Sequence, residues 1–260
     1  MIPQKLTVLT PQDPLRFDCN AGLPCFTRCC RDITILLTPY DVLRIKNGLH
    51  MTSGKFLANY TVTLMGDAGL PVVALKMQDN LEKSCPFVTS SGCIIYGDRP
   101  WACRIYPLQP ESTPQTEKAG KTYYSVMDVP FCQGLAAERT LSLATYIEEQ
   151  GIPVYMEMEA LFKKITANER LKNATITNKT IQEMFFMACY DLDRFRRFVL
   201  ESTFLKRFDV APQTVAAIKT DDVALYRLAI NWLEYGLLAQ QVLKVKPEAM
   251  AAKKAELGLK

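Results

Sequence analysis

Apolar and polar positions follow two regimes along this chain. Up to about residue 133 the apolar runs are short. RDITILL (31–37) has strand character, although the next helix can absorb part of it, and PVVALKMQ (71–78) and KTYYSVMDV (121–129) are β-branched or aromatic runs bounded by Pro, Gly and Asp. Between them, TPYDVLRIKNGLH carries helix-start signals: Thr38 caps, Pro39 suits the first helical position, Asp41 sits in the positive first turn and Gly48 supplies a stop. Thr52 and Ser53 offer a second cap before KFLANY. RPWACRIYPL predicts one or two helical turns started by Pro100 and stopped near Pro107, and LQPESTPQTEKAGK (108–121) a polar surface loop.

From about residue 134 the spacing becomes helical. GLAAERTLSLATYIEEQG, VYMEMEALFKKITANERLK and TIQEMFFMACYDLDRFRRFVLESTFLKRF all repeat apolar residues at that period. In the third, Ile181, Phe185, Ala188, Leu192, Phe195 and Val199 share one stripe and predict an amphipathic helix. VALYRLAINWLEYGLLAQQVL is nearly apolar enough to be central, and the Ala- and Lys-rich tail after Pro247 reads as a frayed helix. The pattern predicts a mainly helical α+β fold. Residues 1–133 would form a cysteine-rich metal-binding domain with short strands, and residues 134–260 a helical bundle portion packed against it.

Composition narrows the function classes. At 260 residues and 48% hydrophobic, the chain can bury a sizeable core. Its 31 Lys and Arg against 27 Asp and Glu leave +4, too small an excess to predict nucleic acid or an anionic membrane as partner. No run approaches 18 uninterrupted apolar residues, and MIPQKLTVLTPQDPLRFD shows no export signal, so a cytoplasmic, reducing environment is expected. The Asn-x-Thr sites at Asn59, Asn173 and Asn178 are then read as chance.

Nine cysteines change the picture most, because eight of them lie in the first 132 residues and four fall within CNAGLPCFTRCCRD (19–32). Disulfides are disfavoured in a reducing compartment. Burial as small apolar residues suits Cys189, between Phe186 and Leu192, but does not explain four thiols in fourteen residues. Metal ligation does, since thiolates bind zinc and iron strongly. Gly22 permits tight turning and Pro24 restricts the loop. KSCPFVTSSGCIIYGDRPWACRIYP adds Cys85, Cys93 and Cys103, and VPFCQG adds Cys132. The candidate ligands are Cys19, Cys25, Cys29, Cys30, Cys85, Cys93, Cys103 and Cys132. No paired CxxC knuckles occur, and the adjacent Cys29 and Cys30 are expected to turn apart, which suits a larger cluster or two centres better than one ion. An iron-sulfur cluster, preferably 4Fe-4S, is therefore favoured over zinc. Neither a CxxCxxCxxxCP ferredoxin run nor a CxxxCxxC radical loop is present, Asp32 standing at the third position of the latter.

The motifs FDCNAGLPCFTRCCRD, LTPYDVLRI and CPFV with GCIIYGDRPWACRIYPL resemble those of the YkgJ-type cysteine-cluster family, a zinc- or iron-chelating domain, over roughly residues 15–135. Many members space the first cysteines as CxxCxxCC, whereas the gaps here are five and three residues. This wider loop is also similar to that of flagellin lysine methylases, whose cysteine-rich domain is associated with an iron-sulfur cluster. The resemblance implies metal binding in a structural or redox-sensing role, with a lysine N-methylase-like enzyme or a metal carrier as alternatives. No Gly-x-Gly-x-Gly loop follows a strand to support a nucleotide-type methyl-donor site.

Other candidates for chemistry are weaker. His50 is the sole histidine and reads as a surface or capping residue, so a His-based triad is improbable. GLHMTSGKF lacks phosphate-loop spacing, and Phe56 stands where Ser or Thr is required. Asp98, Arg99 and Arg104 around Cys103, like Arg31 and Asp32 after the cysteine pair, read as ion pairs holding a loop or as tuners of sulfur charge. Tyr96 and Tyr106 read as packing residues. Arg194, Arg196 and Arg197 are expected to pair with Asp191, Asp193 and Glu201, the alternative being a docking surface for a protein partner.

Overall fold

The structure, a computed structural model, describes residues 8–111, 122–172 and 175–256. Helices dominate and the strands are short, as an α+β fold requires. The chain forms two compact units, each from two segments: residues up to 36 with 75–157, and 37–74 with those from 158 on.

The first unit carries an antiparallel sheet in which Tyr123–Val126 lies between Val8–Leu9 and Leu108–Glu111. Leu108–Glu111 corrects the loop expectation at that point. It is an edge strand, where the missing N–H of Pro110 is tolerated. The rest of that expected loop, 112–121, lies outside the described residues. A second pair joins Pro14–Arg16 to Thr140–Ser142, with Leu15 opposite Leu141. This overturns helix at the start of 134–151: residues 140–142 are claimed by a strand more than a hundred residues away. Only Leu143–Glu149 is α-helical there, capped by Ser142, whose Oγ accepts from Thr145 N at 3.1 Å.

Leu15, Phe17, Ile105, Leu108, Tyr124, Leu143, Tyr146 and Ile152 are buried together, each worth about 1.5–3 kcal/mol of apolar burial. The Phe17 ring meets Tyr106 and Tyr146 edge-on, at 6.1 and 5.9 Å. Trp101, Tyr106, Cys132 and Leu135 pack against this core, so it backs the cysteine-bearing segments.

The second unit begins with the Pro39–Gly48 helix. Thr38 Oγ1 accepts from Asp41 N at 3.1 Å, and Asp41 accepts from Thr38 N at 2.7 Å, closing the expected capping box. His50 takes the left-handed conformation just past this helix (φ 51), and Met51 N donates to Lys46 O at 2.8 Å. Ser53–Tyr60 follows, capped by Thr52, and a three-stranded sheet has Pro71–Leu75 between Leu36–Leu37 and Thr61–Met65.

The long stripe of 180–208 is not one helix. It breaks into Lys179–Cys189, Leu192–Glu201 and Phe204–Arg207. Asp191 caps the middle piece and accepts from Ser53 Oγ at 2.6 Å, so a local cap outcompetes continuation. Phe185, Ala188, Leu192, Phe195 and Val199 are buried nonetheless. Asn178 caps the first piece by accepting from Ile181 N, while Asn173 lies outside the described residues. Asp222–Leu238 is the central helix expected, its Trp232 ring 5.4 Å from Phe195 and 5.3 Å from Phe198. Among the described residues no helix is long and apolar enough to cross a membrane.

Candidate metal centre

All eight candidate ligands belong to the first unit. Tight turns wind the first four: Gly22 N donates to Asn20 Oδ1 (2.9 Å), Phe26 N to Leu23 O (2.9 Å), Arg28 N to Cys25 O (3.0 Å) and Cys30 N to Thr27 O (3.0 Å). Thr27 adopts φ 62, and Arg28–Cys30 form a single 3₁₀ turn. Backbone bonds then fasten the other segments to this loop. An antiparallel bridge pairs Arg31 with Ser84, and Cys85 N donates to Cys30 O at 2.8 Å. The short hairpin that sets Val88 opposite Cys93 carries Cys93, turning at Gly92 (φ 116). Cys103 rides on the Trp101–Ile105 helix that Pro100 starts.

Cys132 arrives through Gly134, whose carbonyl accepts from Asp18 N at 3.1 Å; a Cβ there would stand 2.3 Å from Asp18 O. Only glycine allows that approach.

Arg104 and Arg99 hold the Cys93–Cys103 segment. Arg104 is buried and donates to the carbonyls of Arg99 (3.0 Å), Gln150 (2.8 Å) and Gly97, with its guanidinium 4.6 Å from the Tyr155 ring centre. Arg99 donates to Tyr96 O (3.0 Å) and to Gln150 Oε1. Arg31 pairs with Glu82, and Asp32 with Lys83 at 3.3 Å. The loop-holding reading of these charges thus applies, while burial pushes the Cys93 thiol up, with the Ile95 amide and then Arg99 opposing the rise.

None of the nine cysteines is in a disulfide. Cys29 and Cys30 fall in the same single turn, near enough for each thiol to shift the other. Consecutive side chains alternate faces in a strand, but a 3₁₀ turn separates them by only a third of a revolution. Cys29 is lowered to about 7, chiefly by the neighbouring Cys30 thiol, with burial opposing and its own backbone N–H assisting. Cys30 is pushed up chiefly by the Cys29 thiol, then by burial, with Cys103 and Cys85 adding to the rise. Cys19 is exposed as a residue, yet crowding of its sulfur pushes it up to about 11, helped by Cys29, Cys25 and Cys132. Burial raises Cys85 against the amides of Phe87 and Val88, with Cys93 adding to the rise.

Backbone amides therefore aim at several of the sulfurs. Gln133 N lies 3.2 Å from Cys25 Sγ and Phe87 N 3.5 Å from Cys85 Sγ. Such donors favour thiolate over thiol, the form a metal takes. Sequence reasoning missed these amides, which carry no side-chain signature. It also read Tyr106 as packing only, whereas its buried Oη faces the Cys132 thiol without meeting it in good hydrogen-bond geometry. As the thiols stand, no group of three or more His, Cys, Asp or Glu among the described residues is set to hold a metal ion. An open cleft of about 470 Å³ adjoins the loop, lined by Pro24, Phe26, Arg28, Arg31, Glu82 and Phe131, with Arg28 stacked 5.0 Å from the Phe131 ring centre.

Residues 18–130 match the family model described as "CxxCxxCC: Putative zinc- or iron-chelating domain". Over this segment the chain is similar to that family's domain. No curated protein and no solved structure matches the chain. The matched segment takes in seven of the eight candidates and stops two residues short of Cys132. It supports zinc or iron chelation. Cys189 lies outside it, wholly buried in the second unit, where burial pushes its thiol far up.

Proposed function

We propose that the first unit holds an iron-sulfur cluster through cysteine thiolates, in a structural or redox-sensing role. The observation that carries this reading is backbone N–H donation to sulfur at two of the candidate cysteines, from Gln133 to Cys25 at 3.2 Å across 108 residues of sequence and from Phe87 to Cys85 at 3.5 Å. The donor set fits such a group: it is all sulfur, drawn from loops that are already fastened to one another by backbone bonds. Ligation requires the thiols to lose their protons and close in, and Cys29 is the readiest to do so. When bound, a cluster supplies one-electron chemistry and cross-links segments far apart in sequence. The chain's own part is to orient sulfurs by tight turns, steady Cys93 beside Arg99, and back the site with the Phe17 core.

The test is anaerobic purification followed by iron, acid-labile sulfide and zinc analysis with an absorption spectrum. The expected outcome is visible charge-transfer bands with iron and sulfide in equal amounts. A colourless protein retaining stoichiometric zinc would replace the cluster by zinc.

A further inference from the structure

We propose that the eight thiols divide into two four-sulfur metal centres, Cys19, Cys25, Cys29 and Cys132 making one and Cys30, Cys85, Cys93 and Cys103 the other. This rests on the metal-binding reading above, but not on which metal is bound.

The backbone sorts the thiols this way. On one side, Gln133 N reaches Cys25 Sγ at 3.2 Å, and the Asp18–Gly134 bond seats the 132–136 segment beside the start of the cysteine loop. Cys19 has Cys29, Cys25 and Cys132 as neighbours, and Tyr106 Oη faces Cys132 with Cys29 and Cys25 nearby. On the other side, Cys85 N bonds Cys30 O at 2.8 Å, and the Val88–Cys93 pairing folds Cys93 back toward Cys85. Cys30 has Cys103 and Cys85 as neighbours, and Cys85 has Cys93. The two sets approach each other at the Cys29–Cys30 pair.

Dividing the network there leaves four sulfurs on each side, the number that one tetrahedral ion or one cubane cluster takes. Each side also has its own amide donors: Gln133 N and the Cys29 amide on one, Phe87, Val88 and Ile95 on the other. A single centre would leave four thiols and their donors without a task. Adjacent cysteines then act as the joint, each sulfur serving a different centre while the shared peptide fixes their separation.

The experiment is a titration of the full, metal-free chain with cobalt(II) under anaerobic conditions, read by thiolate-to-cobalt charge-transfer absorption. Wild-type protein should saturate at two equivalents. Cys25→Ser and Cys93→Ser should each saturate at one, and the double variant should bind none. Cys189→Ala should keep two. Circular dichroism of each variant checks that it is folded, and the wild-type end point stands whether or not a variant folds. Saturation of the wild type at one equivalent overturns the division while leaving metal binding intact. So does loss of both equivalents in a folded single variant. Absence of any cobalt binding by the wild type overturns the metal reading itself.

Discussion

At the scale of single residues the Cys29–Cys30 pair departs most from what the sequence suggests. The Cys29 thiol is lowered to about 7 and that of Cys30 is displaced upward, each chiefly by the other. The metal-free protein should therefore show Cys29 as its fastest-alkylating cysteine, the rate climbing as the pH rises through about 7 and then levelling as the thiolate fraction saturates. Cys19, raised to about 11, should react slowly at neutral pH, and Cys189, wholly buried, not at all while the chain is folded. Peptide mapping by mass spectrometry after short iodoacetamide pulses reads all three; equal labelling of Cys19 and Cys29 at pH 7 would refute this view of the pair. That the candidate thiols share one compact unit was suggested by the sequence, because their clustering along the chain is itself the signal. The opposed shifts of Cys29 and Cys30 were not, because they depend on a 3₁₀ turn that CFTRCCRD does not announce. The amide donors and the cleft-lining Phe26 and Phe131 were silent for a similar reason: each acts through a position that only folding creates.

At the scale of elements, local chemistry was readable and distant pairing was not. Thr38, Pro39 and Asp41 foretold their capping box because every partner lies within three residues. Thr140–Ser142 and Leu108–Glu111 were read as helix and loop because their strand partners lie elsewhere in the chain. The break at Tyr190–Asp191 escaped notice because the apolar stripe keeps its period across it, so burial is preserved while the backbone is interrupted.

Three helices of the second unit also share a buried charge network that no local pattern reveals. Lys46 Nζ lies 2.7 Å from Asp222 and 3.6 Å from Asp193, and Arg196 bonds both carboxylates. Burial would raise Asp222, but hydrogen bonds from Lys46, Asn47 and Arg196 outweigh it and hold the carboxyl below its ordinary value. A depressed carboxylate contributes stability that is complete above the ordinary range and is lost as the pH falls through its folded value. Asp222→Asn should cost about 3 kcal/mol at neutral pH, because it leaves a buried ammonium with one distant partner. Urea unfolding at pH 7 measures this, and metal content should be unchanged. A loss under about 0.5 kcal/mol, the range of an ordinary surface substitution, would show that the network is not holding the helices.

At the scale of the whole molecule, the mainly helical α+β class followed from the change of period near residue 134. That each compact unit draws on two separate segments did not, because apolar spacing reports which face of an element is buried and not which neighbour covers it. The first unit contains all eight candidate cysteines, with backbone bonds tying several of their segments together and a core of aromatic and aliphatic side chains behind them. Metal capture by those sulfurs is what the account stands on. X-ray absorption at the iron and zinc edges of anaerobically purified protein tests it most directly, because it reports the atoms bonded to the metal whatever the metal is. The account predicts a first shell made of sulfur alone, at about 2.3 Å. A shell of nitrogen and oxygen at about 2.0–2.2 Å, or a protein that leaves purification with neither metal, would contradict it.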